Sequence, residues 1–353
     1  MNTNQVNYLN IGLMIVSAVF AFWIPFELFL FAYAVLGPLH YLTEISWLHK
    51  RQYFSPGKKD YIVLIVLTIL ITIPAVLTYA FINLGQRDAS GNLVITESLS
   101  NLFNFFHDEN PATMLIFFAF AISLVFVLIK NTMQRLVSFI LLFIIAIILR
   151  TNNFVDVIFA IFLPTLIHVF IFTGLFILVG ALKSNSRSGV LSIVVFVACA
   201  VSFFVISPDA ANYHVSNYAK GSYDVSFFSL NKEIFRAFLH VEDAGSDMIY
   251  ASSSGILITR FIAYAYTYHY LNWFSKTSII KWHDVPRSWL VAIFTLWIAA
   301  VALYYTNYEL GLMCLYFLSF LHVVLEFPLN IQSMKQIGEQ LKSKFTPSRA
   351  ASQ

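Results

Sequence analysis

Runs of roughly 20 apolar residues, broken by short polar segments, recur along the whole of this 353-residue chain. A stretch of that length can cross the hydrocarbon core of a bilayer as a helix. Inside lipid the backbone must satisfy its own hydrogen bonds, so the choice is helix or closed barrel. The runs lack the period-two alternation of barrel strands, which leaves helices. Ten spans fit, at about 8–24, 26–48, 61–84, 111–130, 136–149, 154–182, 190–207, 255–275, 288–306 and 309–332. The expected fold is therefore an all-α polytopic integral membrane protein, a bundle of about ten transmembrane helices forming one domain over 1–353. Composition agrees: 59% of residues are apolar and only 11% charged, under half the charged share of a soluble domain. The first apolar run follows MNTNQVNYLN, which has no basic n-region, so it is expected to stay as a span.

The loops set the orientation. Lys and Arg concentrate after the second, fourth, sixth, eighth and tenth spans, as in HKRQYFSPGKKD and KTSIIKWHDVPR. Positive residues stay inside, so both termini are expected to be cytoplasmic. The long segments 85–110 and 208–254 then lie outside. Each contains a candidate surface helix, SLSNLFNFF in the first and SLNKEIFRAFLHVED in the second, where Phe235, Phe238 and Leu239 have helical spacing. Pro25 divides the first two spans, and Gly37-Pro38 predicts a kink in the second. Cys199 and Cys314 both sit in apolar runs and read as packing residues, leaving no disulfide framework or thiolate-rich metal site.

Four histidines lie inside the apolar runs: His40, His168, His269 and His322. They fall on spans two, six, eight and ten, which run in the same direction. Counted back from the cytoplasmic ends, their depths differ by about seven residues, or ~10 Å at ~1.5 Å per residue. Ionisable groups at membrane depth are costly, so they face the protein interior and pair. His40 and His322 each open the pattern His-x-x-x-Glu, which puts Glu44 and Glu326 on the same helical face as their histidines. A carboxylate there can ligate a metal or orient an imidazole. Thr165 and Thr173 flank His168, while Tyr266 and Asn272 flank His269, as hydrogen-bond partners. Imidazoles with one or two carboxylates suit iron, copper or zinc. With no thiolate available, non-haem iron with a position open to dioxygen is the favoured reading.

His49 and His283 stand at the cytoplasmic edge beside basic residues and read as interfacial; His107, His214 and His240 are in outside loops. Arg260, near the outer end of its span, is expected to snorkel towards water. Glu27 and Asp156 sit at outer helix ends. The sequence has no Walker A motif, no haem-attachment Cys-x-x-Cys-His, no His-Glu-x-x-His and no histidine boxes of membrane desaturases. Nothing in it calls for nucleic acid.

Gly37-Pro38-Leu39-His40, with Glu44 four residues on, together with the intramembrane histidines and the chain's size, resembles the Brp/Blh family of integral-membrane β-carotene 15,15′-dioxygenases. The family motif is Gly-x-Pro-His followed by an acid. Here the proline stands one place earlier, Glu replaces Asp, and the family's His-Phe-Gly signature is not reproduced around His168 or His322. The resemblance implies a non-haem iron held by His40, His168, His269 and His322, with Glu44 and Glu326 behind them. It also implies oxygen-dependent cleavage of a long apolar substrate such as a carotenoid, entering from membrane lipid in a bacterial inner membrane. Read from residues alone, three other functions stay open. Bis-histidine haem would serve electron transfer, intramembrane His and Glu could relay protons in a transporter, and the polar groups could be purely structural.

Overall fold

A computed structural model of the chain describes residues 1–85, 100–101, 111–210 and 213–345. The surface helix expected within 85–110 therefore falls almost wholly outside the described residues. Every regular element among those described is helical. Among the described residues nine helices are long and apolar enough to cross a membrane: α1 (Thr3–Trp23), α2 (Pro25–Lys50), α3 (Asp60–Leu84), α4 (Pro111–Leu128), α5 (Thr132–Leu149), α6 (Asn153–Ser184), α7 (Arg187–Val205), α13 (Arg287–Thr306) and α14 (Tyr308–Phe345). Between α7 and α13 come α8 (Asn217–Asp224), α9 (Phe228–Leu239), α10 (Ser246–Ala251), α11 (Ser253–Ser275) and the short α12 (Thr277–Ile280).

The predicted span at 255–275 is α11. It has spanning length but is too polar to rank with the nine. Fifteen of its 23 residues are buried, among them Tyr264, Tyr266, Tyr268, Tyr270 and Asn272. A helix enclosed by protein can carry hydroxyls and amides that a lipid-facing helix cannot, because its neighbours supply the partners.

Local chemistry explains the ends. α1 begins at Thr3, several residues before the predicted start, because Asn2 and Gln5 form a reciprocal capping box. Pro25 opens α2, where its missing N–H costs nothing. α14 runs to Phe345, past the predicted 332, with Pro328 inside it.

The chain divides into two compact units. The first comprises Met1–Thr43, Leu166–Trp297 and the residues from Leu329 on. In it α11 packs on α1, α2 and α7, and α7 also packs on α1 and on the end of α6. Polar side chains tie these helices together. Asn7 donates to Ser188 Oγ at 3.0 Å, and Ser188 donates to Asn4 at 2.7 Å. Buried Asn10 accepts from Tyr268 and Ser275 of α11 at 3.1 and 2.9 Å. Arg260 does not simply reach for water. Its guanidinium donates to the carbonyls of Phe22 and Ile206, which end α1 and α7, and lies over the Phe22 ring. A cation at two helix C-termini satisfies terminal carbonyls and opposes both dipoles.

In the segment 208–254, α9 buries Leu230, Asn231, Ile234 and Phe235. The helix expected here from the spacing of Phe235, Phe238 and Leu239 is present; of those three only Phe235 is buried, and Phe238 and Leu239 are exposed. Glu27, at the start of α2, accepts hydrogen bonds from Tyr213 and Ser216 and so anchors the segment.

The second unit comprises Glu44–Thr165 and Ile298–Pro328. There α4 packs on α3 and α5. Asp60 at the N-terminus of α3 accepts from Gly57 N and Arg135, and Arg135 also donates to the carbonyls of Phe126 and Ile129. Asp156 accepts from Thr113.

Candidate metal centre

Two of the four intramembrane histidines sit on helices wound wider than an α-helix. Residues Ala32–Leu36 of α2 form a π-helical turn just before Gly37-Pro38, and Asp156–Phe172 of α6 is π-helical through Pro164 and His168. The sequence predicted a kink at Gly37-Pro38. The disturbance there is a rewinding: a π turn, with its bonding register shifted to i→i+5, leads into the proline. The indole Nε1 of Trp297 on α13 donates to the Val35 carbonyl at 2.8 Å, adding a donor within the rewound turn. Gly37 matters for close approach: a Cβ there would meet Tyr270 Oη and Tyr41 Cε1 at 3.3 Å. One turn beyond His40, Trp273 of α11 donates to Thr43 Oγ1 at 3.0 Å, and Thr43 also donates to its own helix's carbonyls. These contacts fix α2 against α11 on both sides of His40.

His40, His168 and His269 come together in the first unit. All are buried, at 1%, 1% and 6% exposure. His40 Nε2 and His269 Nε2 are 3.1 Å apart. The His269 ring lies 4.7 Å from the His40 ring and 4.8 Å from the His168 ring, edge to face in both cases. Tyr270 and Trp273 pack on His40 at 5.1 and 5.5 Å. His322 is 4% exposed. Buried histidines, His40 and His269 of the first unit among them, could hold a metal ion.

The expected carboxylates are both buried, Glu44 and Glu326 at 2% exposure, and they interact electrostatically with each other. Several expected partners serve elsewhere. Thr165 donates to the Ile161 carbonyl. Thr173 pairs with His269 Nδ1 at 2.8 Å, not with His168 on its own helix. Tyr266 joins an aromatic cluster with Phe29, Tyr33 and Phe227, and Asn272 meets Tyr268. The other described histidines stay apart. His49 bonds to the Tyr53 hydroxyl, and His214, His240 and His283 are exposed; His107 lies outside the described residues.

The donor set fits a metal. Two imidazole nitrogens bound at about 2.0–2.1 Å to one ion, at about 90–110° to each other, stand about 2.9–3.4 Å apart. The observed 3.1 Å falls in that interval. The same separation serves a hydrogen bond between the rings when no ion bridges them. No protein-family model matches the chain, and no curated protein or solved structure matches it either.

Proposed function

We propose that this chain is a membrane-embedded, metal-dependent oxygenase acting on a long apolar molecule such as a carotenoid, in the manner of the Brp/Blh dioxygenases it resembles. The observation that carries the reading is the 3.1 Å approach of two imidazole Nε2 atoms inside a buried cluster of histidines. His40, His168, His269 and His322 hold the ion, and Glu44 and Glu326 orient imidazoles or complete its shell. Non-haem iron is the proposed metal, with copper or zinc as the other ions this ligand type accepts. A haem between His40 and His269 would need their nitrogens about 4 Å apart, across two trans bonds of about 2 Å, so their spacing favours a bare ion.

A bound iron supplies dioxygen activation. The chain's own part is to position and to exclude. Tyr270 and Trp273 wall one side of His40 and hold its ring, and buried side chains keep bulk water from the cluster. An apolar polyene reaches such a site from the lipid and is oriented by packing. In this reading α11 is the tenth span, both termini face the cytoplasm, and the membrane is a bacterial inner membrane.

The test is direct. Detergent-purified protein loaded with Fe(II) is incubated with β-carotene in mixed micelles under air. Stoichiometric dioxygen uptake with appearance of an aldehyde product supports the reading. No product from iron-loaded, folded protein with this or shorter polyenes would remove it.

A further inference from the structure

His269 has both ring nitrogens committed. Nε2 faces His40 Nε2 at 3.1 Å, and Nδ1 faces the Thr173 hydroxyl at 2.8 Å. A neutral imidazole carries one proton, so only one of its nitrogens can offer a lone pair. Which one does so is fixed by the hydrogen bond the other makes.

We propose that Thr173 is the positioning residue that selects the His269 tautomer, accepting the Nδ1 proton so that Nε2 is presented as a ligand, and that the π-winding of α6 exists to deliver it. The proposal rests on the metal-centre reading above. A hydroxyl is suited to this place because it both donates and accepts. It accepts from Nδ1–H when Nε2 binds an ion, and it can donate to Nδ1 when Nε2 instead carries the proton. A carboxylate would bind only the protonated nitrogen and would add charge to a buried site.

The winding argument is geometric. His168 and Thr173 are five residues apart on one helix, yet both reach His269, one by its ring at 4.8 Å and the other by its hydroxyl. In an α-helix, five residues turn through ~500°, which leaves the two side chains ~140° apart. They would point to nearly opposite sides. With i→i+5 bonding, five residues come close to one full turn. The π-helical segment ends at Phe172 and α-winding resumes at Thr173. The rewinding thus ends where both side chains have been brought to one face. All three residues are buried, so no solvent molecule in bulk contact substitutes for the hydroxyl.

The test compares wild type with Thr173→Val, which keeps shape and loses the hydroxyl, and Thr173→Ser, which restores it. Fe(II) affinity is measured by competition with a chromophoric chelator, and nitrogen NMR of the Zn(II)-loaded protein reads the His269 tautomer. The expected result is a roughly 10- to 100-fold weaker affinity in the valine variant, most of it recovered by serine, with wild type showing the proton on Nδ1. Thermal unfolding of each variant controls for folding. Should the valine variant not fold, Thr173→Cys, similar in size with a weak acceptor, takes its place under the same expectation. Wild-type affinity in the valine variant, an equal loss in valine and serine, or a proton on Nε2 in the metal-loaded wild type would each overturn the proposal while leaving the metal centre standing. No metal uptake by wild type would instead remove the metal centre, and this proposal with it.

Discussion

Asn10 is a buried polar residue in α1, a helix long and apolar enough to cross a membrane, and replacing it with leucine tests how the first unit is held together. The change keeps the side chain's branched shape and removes three hydrogen bonds. One is within α1, from Nδ2 to the Val6 carbonyl, an acceptor that lies within the helix's own backbone ladder. The other two cross to α11, from the Tyr268 and Ser275 hydroxyls. Side-chain bonds between membrane helices contribute about 0.6 kcal/mol on average and at most about 1.7. Neither hydroxyl is orphaned by the change. Tyr268 retains Asn272 Oδ1 at 3.4 Å, and Ser275 retains the Asn272 carbonyl at 2.9 Å. The penalty for stranding a buried donor, about 1–3 kcal/mol, therefore does not apply. The expected loss is about 1 kcal/mol, read from reversible unfolding in mixed micelles. A double-mutant cycle with Tyr268→Phe should return a coupling of about 0.5–1 kcal/mol. Strict additivity, or a loss above about 3 kcal/mol from Asn10→Leu alone, would refute this account of the α1–α11 contact.

Two further expectations concern the edges of the bundle. Arg260→Lys should be destabilising, because a single ammonium cannot hold the carbonyls of both Phe22 and Ile206; thermal unfolding equal to wild type would contradict that. Lys276, half-buried just past the end of α11, has its ammonium pushed down to about 8 from 10.5 by burial. A lysine more acidic in the folded state penalises folding while it is charged, so stability should rise as pH increases from about 8 to 10.5. Lys276→Met should remove that rise, and an unchanged pH profile in the variant would show that Lys276 is not its source.

The sequence is most informative where the bilayer dictates the answer. Apolar length located the nine helices long and apolar enough to span, among the described residues, and Pro25 separated α1 from α2 because a proline is tolerated at a helix start and not in its middle. The His-x-x-x-Glu spacing put Glu44 and Glu326 among the buried residues. Apolar length is a weaker guide at α11, whose tyrosines and amides make sense only once its neighbours are known. The winding of α2 and α6 was out of reach. Pro38 and Pro164 announce a disturbance, but whether a helix breaks, bends or rewinds depends on donors such as Trp297 that arrive from distant sequence. Pairing Thr173 with His168 took sequence proximity for contact, although five residues of α-winding leave two side chains ~140° apart. A reading that let Pro164 introduce π turns would have turned both residues to one face and sent Thr173 to another helix. The helical spacing of Phe235, Phe238 and Leu239 revealed α9 but not its packed face, which Leu230, Asn231, Ile234 and Phe235 form.

The central claim is that the buried histidines hold a metal, and elemental analysis beside an absorption spectrum tests it most directly. Detergent-purified wild type is compared with His40→Ala, His322→Ala and, as a control, the exposed His214→Ala. The account predicts about one equivalent of bound metal per chain and no Soret band in wild type. It further predicts loss of most of that metal in His40→Ala and His322→Ala, with none lost in His214→Ala. Equal metal content in all four proteins, or none in any of them after loading with Fe(II), would contradict it.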